Sequence, residues 1–316
     1  MFHVEHARRS SFPHIAPAKF PTVPPTVPRE TSCIPLRTLL DFRLREDLLA
    51  RIIAVANQKG GVGKTTTAVN LAACLAASEQ PTLLIDCDSQ ANSTAAIGFA
   101  KDPSRRTLYH SLILGESFDK ILQKSQVDHL DVVPADKNLA GAAVELVNAE
   151  SREYKLQGAL KEIQEKYRFI ILDCPPALDL LTLNALVAAN AVMIPIQCEY
   201  LALEGVSELL DTLMRIRRTL NPSLEIEGIL LTMYDERTTL SHQVATDLRS
   251  FFGTQVFQSV IPRNVRLAEA PSFGKPIIFY DIHSKGAEGY NQLAQEVIAN
   301  AEKRAGTGAR SAHSGA

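Results

Sequence analysis

A glycine-rich stretch, Asn57-Gln58-Lys59-Gly60-Gly61-Val62-Gly63-Lys64-Thr65, joins a short apolar run to a helical pattern that begins at Thr65. Glycines let a backbone turn tightly and bring several N–H groups against one anion. The helix that follows directs its positive end at the same place. Strand, loop and helix in that order read as a P-loop, with residues 59–66 around a triphosphate. Lys64 then reaches the β- and γ-phosphates, and the Thr65 hydroxyl ligates Mg²⁺. Three acidic residues, at the ends of two apolar runs, accompany the loop. Asp86 and Asp88 end the apolar run Leu84-Ile85, and if the strand continues they project to the same side. Asp173 closes Phe169-Ile170-Ile171-Leu172 and precedes Cys174-Pro175-Pro176. Four apolar residues and then an aspartate is the Walker B pattern, whose carboxylate holds Mg²⁺ directly or through water. Together these residues describe an ATPase.

The elements that must position them alternate in type. Strands are expected at Ile52–Ala56, Thr82–Asp86, Leu130–Pro134, Phe169–Asp173, Ala191–Ile196, Ile226–Thr232 and Val256–Ile261. They are continuously apolar, as strands covered on both faces are. Helical patterns fall at Thr66–Ser78, Ser151–Tyr167, Leu180–Ala189, Gly205–Leu220, Ser241–Phe252 and Ala287–Arg304. The alternation predicts an α/β fold, a doubly wound and mostly parallel sheet with helices on both faces. In such sheets ligands bind at the carboxyl ends of the strands, where Lys64, Asp86, Asp88 and Asp173 all fall.

Composition agrees. The chain has 316 residues, 46% of them hydrophobic, with a formal net charge of −2. That supports a sizeable core, and any attraction to nucleic acid must come from a local patch. No apolar run is long enough to span a bilayer. The five cysteines, Cys33, Cys74, Cys87, Cys174 and Cys198, show no CxxC spacing and fit small buried hydrophobes in a reducing cytosol. Residues 1–50, proline-rich at Phe12–Arg29, read as a disordered or mis-annotated extension; residues 51–304 read as the ATPase domain and 305–316 as a frayed tail.

The loop departs from the general P-loop at Gln58, where glycine is usual, and adds Lys59. It resembles the deviant Walker A signature KGGxGK[ST] of the ParA/MinD/nitrogenase-iron-protein superfamily. Further blocks resemble ParA/Soj partitioning ATPases: Pro195–Tyr200, Ala202–Gly205, Leu231–Asp235, Ile261–Leu267 and Glu269–Pro276. This likeness extends from about Arg51 to Arg304. It implies an ATP-bound homodimer in which Lys59 contacts the partner subunit's phosphates. It assigns the attacking water to Asp88 and the Mg²⁺ shell to Asp86 along with Thr65 and Asp173. It implies Pro262 and Asn264 at the adenine end. Ser89 and Ala91 stand where the family has Pro and Gly.

The resemblance also implies non-specific binding of double-stranded DNA through Arg237 and Arg266, with Arg215, Arg217, Arg218, Arg249 and Arg263 extending the patch. Phosphate contacts of this kind are independent of sequence and sensitive to salt. It further implies slow hydrolysis stimulated by a ParB/Spo0J-like partner, and a place in the cytoplasm on the nucleoid. One codon choice for Met1–His6 holds a near-palindrome around CACGTG that resembles the DNA site of that partner; on this reading translation starts nearer Arg51. Three other readings compete. A MinD-like membrane ATPase requires a C-terminal amphipathic helix with bulky apolar and basic faces. Here Gly289–Asn300 has a narrow, alanine-rich apolar face suited to packing on the domain. An iron–sulfur reductase requires suitably placed cysteines, which Cys174 and Cys198 do not supply. A DNA scaffold with a dead ATPase is opposed by the intact Lys64, Thr65, Asp88 and Asp173.

Overall fold

The computed structural model describes residues 50–199 and 202–310, with only the backbone described at 203–204 and 305–310. The expected extension therefore lies outside the described residues up to position 49, as do the last six residues of the expected tail. The described residues contain eight strands: β1 Arg51–Val55, β2 Thr82–Asp86, β3 Gln123–Lys124, β4 Leu130–Val133, β5 Phe169–Asp173, β6 Ala191–Gln197, β7 Glu225–Tyr234 and β8 Val256–Pro262. They form one sheet in the order β3-β4-β2-β5-β1-β6-β7-β8. All pairings are parallel except β3 with β4. From β1 the chain crosses β5 to reach β2, and from β5 it crosses β1 to reach β6. The winding thus reverses between two adjacent strands, and their carboxyl ends open a crevice.

The helices are α1 Lys64–Ala77, α2 Asn92–Ala96, α3 Leu108–Leu114, α4 Phe118–Ile121, α5 Leu139–Glu145, α6 Lys155–Leu160, α7 Leu180–Ala188, α8 Ala202–Thr219, α9 Thr239–Phe252, α10 Val265–Glu269, α11 Ile277–Tyr280 and α12 Lys285–Arg310. Alternation along each strand divides them between two cores. Ile53, Val55, Leu84 and Ile171 face α1 and α12; Ile52, Ala54, Leu83, Ile85, Ile170 and Leu172 face the opposite layer. Both alternating sets are apolar, so the sequence shows uninterrupted apolar runs.

Helix α1 is buried from Thr67 to Ala76, and its alanines let neighbours approach closely. Against it lies α12, whose Ala287, Tyr290, Leu293, Ala294 and Val297 recur at helical spacing and are buried. The Tyr290 and Thr67 hydroxyls share a buried hydrogen bond of 3.2 Å. On the other side α12 meets β8: Glu296 accepts from the Gln258 and Ser259 amides at 2.8 and 3.0 Å. A Cβ at Gly289 would stand 2.9 Å from the Val260 carbonyl, so only glycine lets the helix sit this close. The apolar stripe of α12 is thus buried inside the domain, where a membrane-seeking helix would expose it. Among the described residues no helix is long and apolar enough to cross a membrane.

Some elements differ from the sequence expectation. The helix expected at Ser151–Tyr167 is broken into Arg152–Tyr154, Lys155–Leu160 and Gln164–Lys166, only the second of them α-helical. Asn184 explains the break: its Oδ1 accepts from the Leu156 amide at 3.1 Å and its Nδ2 donates to the Arg152 carbonyl at 2.9 Å. A tertiary partner here replaces the intrahelical one. The two-residue β3 and four of the six extra helices fall below the length at which periodicity shows; the other two, the seven-residue α3 and α5, are two turns at most. At the C-terminus α12 continues to Arg310, past the expected boundary at 304.

Candidate nucleotide and metal site

The loop after β1 is fixed at both ends. Asn57, buried at the strand's end, donates from Nδ2 to the Pro195 carbonyl of β6 at 2.8 Å, and its Oδ1 accepts from the Lys59 amide at 2.9 Å. From β7, the Thr232 hydroxyl donates to the Val62 carbonyl at 2.9 Å. Gly61 and Gly63 take φ of 76° and 88°, left-handed values that suit glycine. Gly63 is the N-cap of α1 and supplies no side-chain acceptor, nor is there an acidic residue in the first turn. The first amides of α1 are thus left to an external anion. Gly60 and Gly61 are exposed, and Thr65 and Thr66 are part-exposed at the helix start.

Lys64 is nearly enclosed, and its ammonium donates to the Lys59 carbonyl at 2.9 Å. Burial lowers its pKa, opposed chiefly by the Asp173 charge. A buried cation whose acceptor is one neutral carbonyl is poorly compensated. A phosphate would serve it better. Lys59 instead points outward and meets Glu199 at 3.2 Å.

Asp86 and Asp173 are direct register partners at the ends of β2 and β5, both with no exposed surface. Desolvation raises both pKa values, and the neighbouring Asp86 charge raises that of Asp173 further. Their hydrogen bonding differs sharply. Asp86 accepts from the Asp88 amide at 3.1 Å on Oδ1, and from the Thr94 amide and hydroxyl at 2.8 and 2.7 Å on Oδ2. Asp173 accepts from the Ser93 hydroxyl at 2.7 Å on Oδ2, while its buried Oδ1 accepts no hydrogen bond among the described residues. The Thr65 hydroxyl lies near enough to favour the charged form without completing a hydrogen bond. An orphaned buried carboxylate oxygen, beside a hydroxyl and a second carboxylate, suits a hard divalent cation with oxygen ligands. These residues therefore fit Mg²⁺, which Thr65 and Asp173 would hold.

The strand does not carry Asp86 and Asp88 to one side by alternation. Strand β2 stops at Asp86, and the chain folds back so that Asp86 caps the loop bearing Asp88. The Asp88 Oδ1 then accepts from the Gln90 amide at 2.9 Å. Asp86 thus has both oxygens engaged by the segment that follows it, from Asp88 to Thr94. Ser93, Thr94, Asn57 and Thr232 were not singled out from the sequence. Only the tertiary register shows what their hydroxyls and amide meet. Cys87 and Cys174 adjoin the two aspartates, and burial pushes both thiols well above their ordinary range, as for inert core residues.

The remaining predicted residues lie at or just after the carboxyl ends of β7 and β8. Pro262 ends β8 and pairs with Tyr234 of β7. Asn264 is the N-cap of α10, its side chain accepting from the Arg266 amide at 2.8 Å. No hydrogen bond among the described residues joins either to the loop. Arg237 follows β7 and is 86% exposed, yet it forms a two-point contact with Asp235 at 2.9 and 2.8 Å. Arg266 pairs with Glu269 at 2.9 Å and with Asp281 at 3.5 Å.

Comparison with known proteins agrees with this geometry. The AAA domain family matches residues 50–226. The chain is 52% identical over 250 residues to the chromosome partitioning protein ParA of Myxococcus xanthus, covering 79% of this chain and 88% of that protein. It is 52% identical over 252 residues to the sporulation initiation inhibitor protein Soj of Bacillus subtilis, covering 80% of this chain and all of that protein. Among solved structures, cobyrinic acid a,c-diamide synthase from Mycobacterium smegmatis, with bound ATP analog and magnesium, superposes with a TM-score of 0.69 at 35% identity. That match covers 78% of this chain and 93% of the synthase.

Proposed function

Because the chain belongs to the AAA-domain P-loop ATPases and, within them, to the ParA/Soj family of chromosome-partitioning proteins, we propose that it hydrolyses ATP to time its own attachment to DNA during chromosome segregation. The observation that carries the reading is the buried edge of β1, β2 and β5. There a poorly compensated lysine, an uncapped helix start and an orphaned carboxylate oxygen converge.

In this reading the amides of residues 60–66 bind the triphosphate. Lys64 exchanges the Lys59 carbonyl for β- and γ-phosphate oxygens. Thr65 and Asp173 hold magnesium, which when bound neutralises charge on the phosphates. Asp86 organises the loop and thereby orients Asp88, which positions the attacking water. Pro262 and Asn264 flank the adenine. Lys59 reaches the nucleotide of a second copy, so hydrolysis requires a homodimer. Arg237 and Arg266 contact DNA phosphates without reading sequence. Pairing two subunits doubles this surface, which couples nucleotide state to DNA retention in the cytoplasm. A ParB/Spo0J-like protein stimulates turnover and ends the DNA-bound state.

The test is calorimetric titration of ATP with and without magnesium, on the wild-type chain and on Lys64→Ala. Binding that needs both the metal and Lys64 is expected. ATP affinity indifferent to both would refute the reading.

A further inference from the structure

We infer that Glu199 is a positioning residue that holds Lys59 on its own subunit until a second, nucleotide-bearing copy takes the lysine over. The inference rests on the reading of Lys59 as a contact between subunits.

The two members of the pair are anchored very differently. Glu199 follows β6, the strand beside β1. Its carboxylate receives the Gln197 side-chain amide. Its backbone is tied on both sides, Glu199 N–H to the Gln197 carbonyl at 2.8 Å and Ala202 N–H to the Glu199 carbonyl at 3.0 Å. The acceptor is therefore fixed. Lys59 has a fixed backbone too, through the Asn57 contact, but among the described residues its side chain makes only the 3.2 Å contact with Glu199. Both side chains are 46% exposed, so the pair lies at the rim where an incoming subunit would arrive. A stationary carboxylate and a movable ammonium form a holding contact. Carboxylate oxygens offer the ammonium what phosphate oxygens would.

The other loop lysine cannot play this part, because Lys64 is enclosed and turned onto the loop itself. Lys59 is the outward cation, and Glu199 decides where it rests. An exposed pair of this kind biases its lysine by up to about fivefold. That is weak enough for a desolvated triphosphate to displace. A symmetric dimer releases two such contacts, so removing Glu199's charge should tighten dimerisation by about two- to thirtyfold. Nucleotide affinity of the isolated subunit should not change, since Lys59 does not serve its own nucleotide.

The experiment measures dimerisation of the full chain by sedimentation velocity in Mg²⁺ and a slowly hydrolysed ATP analogue. Monomer affinity is read separately with a fluorescent nucleotide at low protein concentration. Glu199→Gln and Glu199→Ala are expected to dimerise more tightly with unaltered monomer affinity. Glu208→Gln, on the exposed face of α8 within a turn of the Gln58 contact at Thr212, makes the same charge change and should do little. Glu199→Gln matching wild type, following Glu208→Gln, or weakening the dimer overturns the inference. Lys59→Ala separates the two levels. If it dimerises as wild type, the inter-subunit role of Lys59 fails; if it stays monomeric while Glu199→Gln is silent, only the role of Glu199 fails.

Discussion

Replacing Thr94 by valine isolates the hydroxyl that ties the acidic loop together. Thr94 lies on the short helix α2 and is buried. Its Oγ1 donates to Asp86 Oδ2 at 2.7 Å and accepts from the Ala135 amide at 2.9 Å. Valine keeps the shape and removes both contacts. Losing a hydrogen bond to a charged acceptor costs about 1.5–3 kcal/mol, and leaving the Ala135 N–H buried and unpaired costs about 1–3 kcal/mol. The extra buried methyl returns about 0.8 kcal/mol. The net expectation is a loss of about 2–5 kcal/mol. Urea unfolding at neutral pH without magnesium reads it as a lower midpoint at unchanged slope. The same substitution in an Asp86→Asn background should cost less, because the ionic share is already gone. A loss below about 1 kcal/mol, well under the sum of these terms, or strict additivity with Asp86→Asn, would show that Thr94 does not act through Asp86.

Three further outcomes follow from the site. Asp88→Ala should bind ATP and dimerise yet turn over at background rate in a phosphate-release assay; normal turnover would remove Asp88 from the water-positioning role. Asp173 is held above the ordinary carboxylate range by burial and by Asp86. A raised folded-state pKa stabilises below the unfolded value and loses that contribution as pH rises through the folded value. Magnesium-free wild type should therefore lose stability relative to Asp173→Asn from about pH 4 up through neutrality, and parallel urea midpoints across that range would count against it. Arg237→Glu should abolish retention on non-specific DNA in a filter assay while ATP-dependent dimerisation persists, and undiminished retention would remove Arg237 from the interface.

How much of this was readable in the sequence depends on where each constraint acts. The loop was readable because its chemistry is local. Left-handed turns at Gly61 and Gly63 and a lysine at the helix start leave a signature within a few residues. The strands were readable because burial on both faces filters every position, as at Ile52, Ile53, Ala54 and Val55. What escaped was set by contacts distant in sequence. Ser93 acquires its role only when register brings β2 beside β5, 80 positions on. Asn184 breaks a helical pattern that begins more than 25 residues earlier. Asp86 and Asp173 look equivalent as sequence, each an aspartate closing an apolar strand. Their lone pairs are filled differently because one is followed by a loop that folds back and the other by Pro175 and Pro176, which lack amide hydrogens.

That difference bears on how a reversible switch can be built here. Of the cations assigned to anionic ligands, three already rest on carboxylates: Lys59 on Glu199, Arg237 on Asp235, and Arg266 on Glu269 and Asp281. Binding phosphate then exchanges one acceptor for another, and such exchanges yield small net free energies because desolvation offsets most of the attraction. Small net terms are what a protein needs if it must both join and leave its ligands. The orphaned Asp173 Oδ1 is the exception, since nothing has to be displaced before it gains a partner. Loading should therefore gain more at Asp173, as at the poorly compensated Lys64, than at these three cations. Withholding magnesium should then weaken nucleotide binding to the isolated subunit more than substituting Lys59, whose contribution belongs to the dimer. Equal losses from the two, measured below the dimerisation concentration, would contradict this ordering.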